Sequence, residues 1–153
     1  MTDTTTTAGG RPPANFNSFN PACGVAFPVG TPLRQSTTSG ENGVVNLCRA
    51  STGLEQCVGL ASGSGIASTP TKTNRALVQF AGPLTLTTAE WDVVVTGQTG
   101  GLTAGTAYYV STATAGKLTA TKPTTAFTVR VGVASSPTEM LVAIDGPFNS
   151  TGS

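Results

Sequence analysis

Phe127, Val129, Val131 and Val133 alternate with Thr128, Arg130, Gly132 and Ala134. That period of two belongs to a strand with one buried face. Met140, Val142 and Ile144 alternate with Leu141, Ala143 and Asp145, and the intervening Ser135-Ser136-Pro137-Thr138 reads as a hairpin loop. Shorter runs at Val44–Leu47, Cys57–Ala61, Ala76–Phe80, Leu84–Leu86, Ala107–Ser111 and Lys117–Thr121 are further strands, set apart by Gly, Pro, Ser and Thr turns. Helical signal occurs once. Thr87 and Glu90 have capping-box spacing, but β-branched Val93-Val94-Val95 and then Gly97 limit the helix to one or two turns ending at about Asp92. Trp91 in that turn is expected to be buried as a plug at one end of the core. The pattern predicts an all-β fold, a small barrel or sandwich, with at most one short helix.

The pattern also repeats. Gly30-Thr31-Pro32-Leu33-Arg34-Gln35-Ser36 aligns with Gly105-Thr106-Ala107-Tyr108-Tyr109-Val110-Ser111, and Gly43-Val44-Val45 with Gly116-Lys117-Leu118. Val58-Gly59-Leu60-Ala61-Ser62 aligns with Val131-Gly132-Val133-Ala134-Ser135, and Ala76–Phe80 with Met140–Ile144. The expected body, residues 29–147, is thus built from two similar halves, about 30–82 and 105–146, followed by a tail at 148–153. Within the motif, Tyr108 and Tyr109 point to opposite faces of a strand, one towards the core and one towards a surface. Gly132 in mid-strand predicts a bulge or a close backbone approach.

Residues 1–28 lack sustained periodicity and carry Pro12, Pro13 and Pro21. They read as an extended arm rather than an interior strand. Phe16 and Phe19 are unlike linker residues, since each would lose ~1.5–3 kcal/mol if left in water rather than buried. Phe16, Phe19, Asn20 and Pro21 are therefore the candidate contacts to a neighbouring subunit or another assembly surface.

Composition narrows the function. Charged residues make up 10% of the chain and the net charge is +1, while 28 Thr and 19 Gly take up much of the rest. So little charge suits a protein that lives assembled, because charges are depleted at interface cores. Basic residues are scattered singly, so the electrostatic footprint for nucleic acid is missing. No apolar run is long enough to span a membrane as a helix, and the Thr-rich start lacks the features of a signal peptide, so cytoplasmic synthesis is the default. Cys48 and Cys57 flank a turn and can face one another across it; with Cys23 they read as small buried thiols rather than a disulfide framework.

Catalytic chemistry is sparse. With no His in the chain, neither a Ser-His-Asp triad nor a Cys-His pair can form. A zinc site is not expected either. Glu90 and Asp92 are read as a helix cap and a turn residue rather than paired carboxylates. Neither a phosphate loop nor the carboxylate density of a calcium loop is present. No enzyme activity and no cofactor are expected.

The segments Pro83-Leu84-Thr85-Leu86-Thr87-Thr88-Ala89-Glu90-Trp91-Asp92 and Gly100-Gly101-Leu102-Thr103-Ala104-Gly105-Thr106-Ala107-Tyr108-Tyr109-Val110-Ser111, with Thr114–Thr119, Pro123 and Val129–Ala134, resemble runs in a known family. It comprises capsid decoration (cement) and head-fibre proteins of tailed bacteriophages, and small β domains of phage tail fibres. The resemblance covers about residues 30–146. It implies a non-enzymatic virion protein on the capsid exterior that stabilises the particle by binding the major capsid protein. The alternative it leaves open is a tail-fibre or head-fibre base or receptor-binding domain. It also implies a homo-oligomer, a trimer matching the local three-fold points of a capsid.

Overall fold

The computed structural model describes residues 18–19, 21–63 and 77–149. Eleven strands and one helix occur among them: β1 Ser18–Phe19, β2 Ala22–Cys23, β3 Pro32–Gln35, β4 Val44–Leu47, β5 Cys57–Ala61, β6 Val78–Gln79, β7 Ala81–Thr85, α1 Thr88–Val94, β8 Ala107–Val110, β9 Leu118–Thr119, β10 Phe127–Ala134 and β11 Glu139–Asn149. They form two sheets, one curled into a half-barrel. Sheet 1 runs β1-β6-β5-β3-β4-β2 and sheet 2 runs β9-β8-β10-β11-β7. The fold is all-β with a single short helix.

Five strands of sheet 1 have counterparts in the same order in sheet 2. Leu33 pairs with Gly59 in sheet 1, and Tyr108 with Gly132 in sheet 2. One step further, Arg34 pairs with Cys57 and Tyr109 with Arg130, each after the same register shift. Ala61 N–H donates to Thr31 O at 2.8 Å, and Ala134 N–H to Thr106 O at 2.9 Å. The central glycines have one physical cause. A Cβ on Gly59 would stand 2.6 Å from Gln79 O, and one on Gly132 would stand 2.3 Å from Leu141 O. Any side chain there would drive two strands apart.

The duplication extends beyond the expected 30–82 and 105–146. Cys23 pairs in parallel with Val45, and Val95 bridges in parallel to the equivalent Leu118. β1 lies against β6 as β7 lies against β11. The last strand pair corrects the alignment read from sequence. Ala61 pairs with Val78 and Ala134 with Met140, so Val78 corresponds to Met140, not Val142. A slip of two residues keeps every side chain on its face, which is why the sequence pattern did not reveal it.

An arm reaching residue 28 is also corrected. β2 is the edge strand of sheet 1, Pro21 is buried, and Phe27 is buried in the core of its own domain. Proline bias against a strand was overridden by the parallel edge pairing, which places Pro21 just before the strand where no ladder donor is needed.

Two cores result. One is shared between the sheets, with Leu60, Cys48 and Ala50 from the first half and Tyr108, Val110, Leu118, Val129, Val131, Met140 and Trp91 from the second. The other, on the far face of sheet 1, holds Cys23, Phe27, Leu33, Val45, Ala61 and Val78. Thr87 caps α1 with both halves of the capping box formed. The helix runs on through Val94, past the expected stop at Asp92, because Val94 is fully buried and packing outweighs the modest propensity penalty of a β-branched residue. Trp91 has no exposed surface, and its Nε1–H donates to Thr138 O at 3.0 Å.

Candidate functional site

The outer face of sheet 2 carries two adjoining features. The first is an apolar row across four strands: Pro83 on β7 pairs with Leu141 on β11, Leu141 with Val133 on β10, and Val133 with Ala107 on β8. Leu141 is 48% exposed and Pro83 is exposed, while Val133 and Ala107 are half-buried. Ala143 beside Ala81 continues the row without charge. The equivalent row of sheet 1, Pro32-Leu60-Gln79, is covered: Pro32 is buried and Leu60 lies fully inside the shared core.

The second feature is a trough of about 510 Å³ at the far end of the same sheet. Its floor is the cross-strand row Tyr109-Arg130-Asp145. One wall is the Lys122-Pro123-Thr124 segment, tied down where Thr128 Oγ1–H donates to Pro123 O at 3.1 Å. The other wall is the end of β11, with Phe148 56% exposed. Gly146 lets β11 cross here, since a Cβ on it would stand 2.6 Å from Thr128 O. Arg130 Nη2 and Asp145 Oδ2 are 3.5 Å apart, with both side chains about half exposed. A surface pair so loose contributes little to stability.

The Tyr pair divides as the strand geometry required. Tyr108 is fully buried, and its hydroxyl accepts from Thr103 N–H at 2.8 Å and donates to Gln98 Oε1 at 2.9 Å. Tyr109 faces the trough. Asp92, read from sequence as a solvated turn residue, is a loop staple: its carboxylate accepts from Gly100 N–H at 2.9 Å and Gly101 N–H at 2.8 Å. This explains the paired glycines, since Gly101 has φ +84° and a Cβ there would meet Pro137 O at 2.4 Å.

Of the four candidate contacts from the N-terminal region, Phe19 and Pro21 fall within the described residues. Phe16 and Asn20 lie outside the described residues. Phe19 is held by backbone pairing with Val78 in β6, and Pro21 is buried in its own domain. The trough was missed in sequence because its residues come from three strands and a loop. The available signal was the charged and aromatic residues standing among Thr on outward positions, Tyr109, Arg130 and Asp145.

No disulfide joins the three cysteines; Cys23 and Cys48 are buried and Cys57 partly so. Cys48 shares a hydrogen bond with Cys57. That bond and burial push the Cys48 thiol above the ordinary thiol range, and the same bond lowers Cys57. Among the described residues no cluster of His, Cys, Asp or Glu is placed to hold a metal ion, and no helix is long and apolar enough to cross a membrane. Comparison with protein-family models gives no match for the chain, and comparison with curated proteins gives none either.

Proposed function

We propose that this chain is a non-enzymatic structural protein of a tailed-phage particle that decorates the capsid exterior and stabilises it by binding the major capsid lattice. One observation carries the reading. The uncharged row Pro83-Leu141-Val133-Ala107 exposes Pro83 and Leu141 to solvent, whereas Pro32 and Leu60 of its duplicate in sheet 1 are buried. A face of this kind is built to be covered, and an apolar, charge-free centre is what interface cores present. Many copies on a repeating lattice sum modest contacts by multivalency. The low overall charge and the likeness of residues 30–146 to capsid decoration proteins support the same assignment. A homo-oligomer, as a trimer at local three-fold points, completes it.

The exposed Phe148 beside Arg130 and Asp145 favours one second reading, a head-fibre or tail-fibre domain with a receptor role. Copy number on purified virions separates the two: hundreds per particle for a decoration protein, a handful for a fibre. Virions lacking the protein are expected to assemble but to lose DNA more readily on heating. Added wild-type protein should restore resistance and Leu141→Lys protein should not. Deficient particles as heat-resistant as intact ones would overturn the decoration role.

A further inference from the structure

We propose that the trough at the end of sheet 2 binds an acidic saccharide, a pyranose bearing a carboxylate, with its ring against Phe148 and Tyr109 and its carboxylate on Arg130. The proposal rests on the trough alone and holds whether the protein sits on a capsid or a fibre.

The volume of about 510 Å³ falls within the usual range for small-ligand sites. Its chemistry is mixed in a particular way. Phe148 keeps 56% of its surface in water on the rim, and Tyr109 presents its ring from the floor. Such rings suit the apolar C–H face of a sugar. Hydroxyl and amide groups lie around them, Thr124 among them, and a separate Thr-rich hollow of about 330 Å³ shares the Lys122-Pro123-Thr124 wall. Alternating donors and acceptors beside aromatic faces match a polyhydroxylated ligand better than a wholly apolar one.

Charge sets the subclass. Lys122 and Arg130 face the trough against a single carboxylate, Asp145, an excess of one positive charge. The guanidinium touches Asp145 through one nitrogen at 3.5 Å, a contact that leaves its fork available for a bidentate carboxylate. A phosphate dianion carries two negative charges against an excess of one, and a neutral sugar leaves that excess unmatched. One carboxylate on a sugar ring satisfies both conditions.

Sodium glucuronate titrated into the full chain, followed by amide NMR shifts, tests the assignment, with glucose and inorganic phosphate as controls. Saturable shifts should centre on Tyr109, Arg130 and Phe148, and both controls should bind at least about tenfold more weakly. Arg130→Ala and Phe148→Ala should each weaken glucuronate binding about tenfold. Arg130→Lys, which keeps the charge but loses the fork, should fall between. Asp145→Asn should bind at least as well as wild type. All three substituted side chains are well exposed, so the spectra of the variants should otherwise match wild type. The proposal is overturned if glucuronate leaves these amides unshifted, if phosphate binds equally well, or if Arg130→Ala binds like wild type.

Discussion

Sheet 1 and sheet 2 share strand order, the register around a central glycine and the parallel edge contact, yet their surroundings differ. Sheet 1 has a core on each face. Sheet 2 has one core, and its other face meets solvent through Leu141 and its neighbours. The halves also differ in what joins their first two segments. Two residues separate β1 from β2, whereas α1 occupies the corresponding stretch between β7 and Val95. That insertion brings Trp91, Val94 and Leu86 against Gly30 of the first half, where a Cβ would stand 3.0–3.3 Å from all three. Among the described residues this helix occurs in one half alone; with the Cys48, Ala50 and Leu60 packing of the shared core it ties the halves together, and Gly30 of the other half receives it.

The strongest way to break this comparison is Trp91→Ala. The ring is fully buried, makes a hydrogen bond to Thr138 O and abuts the first half. Its loss should cost ~3–5 kcal/mol, as for large aromatic truncations in cores. Thermal unfolding by circular dichroism measures it, and an unchanged melting temperature would contradict the role of α1 as the link between halves.

A second pair sharpens the comparison between faces. Leu60 and its neighbour Gln79 in sheet 1 correspond to Val133 and Leu141 in sheet 2. Leu60→Ala should destabilise by ~2–5 kcal/mol, because Leu60 lies fully inside the shared core. Leu141→Ala should stay within about 0.5 kcal/mol of wild type, because half of Leu141 is in water. Chemical denaturation of both variants tests the contrast. Similar losses would mean that the outer face of sheet 2 contributes to folding and is not reserved for a partner.

Much of this architecture was legible in the chain. Val44–Leu47, Cys57–Ala61 and Phe127–Ala134 are strands at their expected bounds, and the burial of Trp91 follows from its place after a capping box. Period two and turn chemistry are local signals, so they survive without a structure. What failed was non-local. β2 is a two-residue edge strand created by a parallel partner more than 20 residues away, and no local pattern announces it. The trough likewise depends on register shifts in β10 that bring Tyr109, Arg130 and Asp145 abreast, and the apolar row becomes notable only beside its buried duplicate.

The smallest expected effect concerns pH and the helix that only the second half possesses. Thr87 N–H and Thr87 Oγ1–H both donate to Glu90 Oε2 at 2.8 Å, and Glu90 N–H donates back to Thr87 Oγ1 at 3.2 Å. The backbone donor first and the hydroxyl second favour the charged carboxylate, which lowers the Glu90 pKa below its ordinary value of 4.5. A group whose pKa is depressed on folding adds stability that is present above its unfolded pKa and is lost as pH falls through the folded one. Wild type should therefore melt higher than Glu90→Gln at neutral pH. The gap should narrow as pH drops below the ordinary glutamate range and close beneath the folded value. The carboxylate lies at the surface, so salt should shrink the gap as well. The single Trp of the chain lies in α1, so its fluorescence follows this helix through the melt. A gap of constant size across the acid range would show that the capping box holds α1 without the charge on Glu90, and that the link between the halves is insensitive to acid.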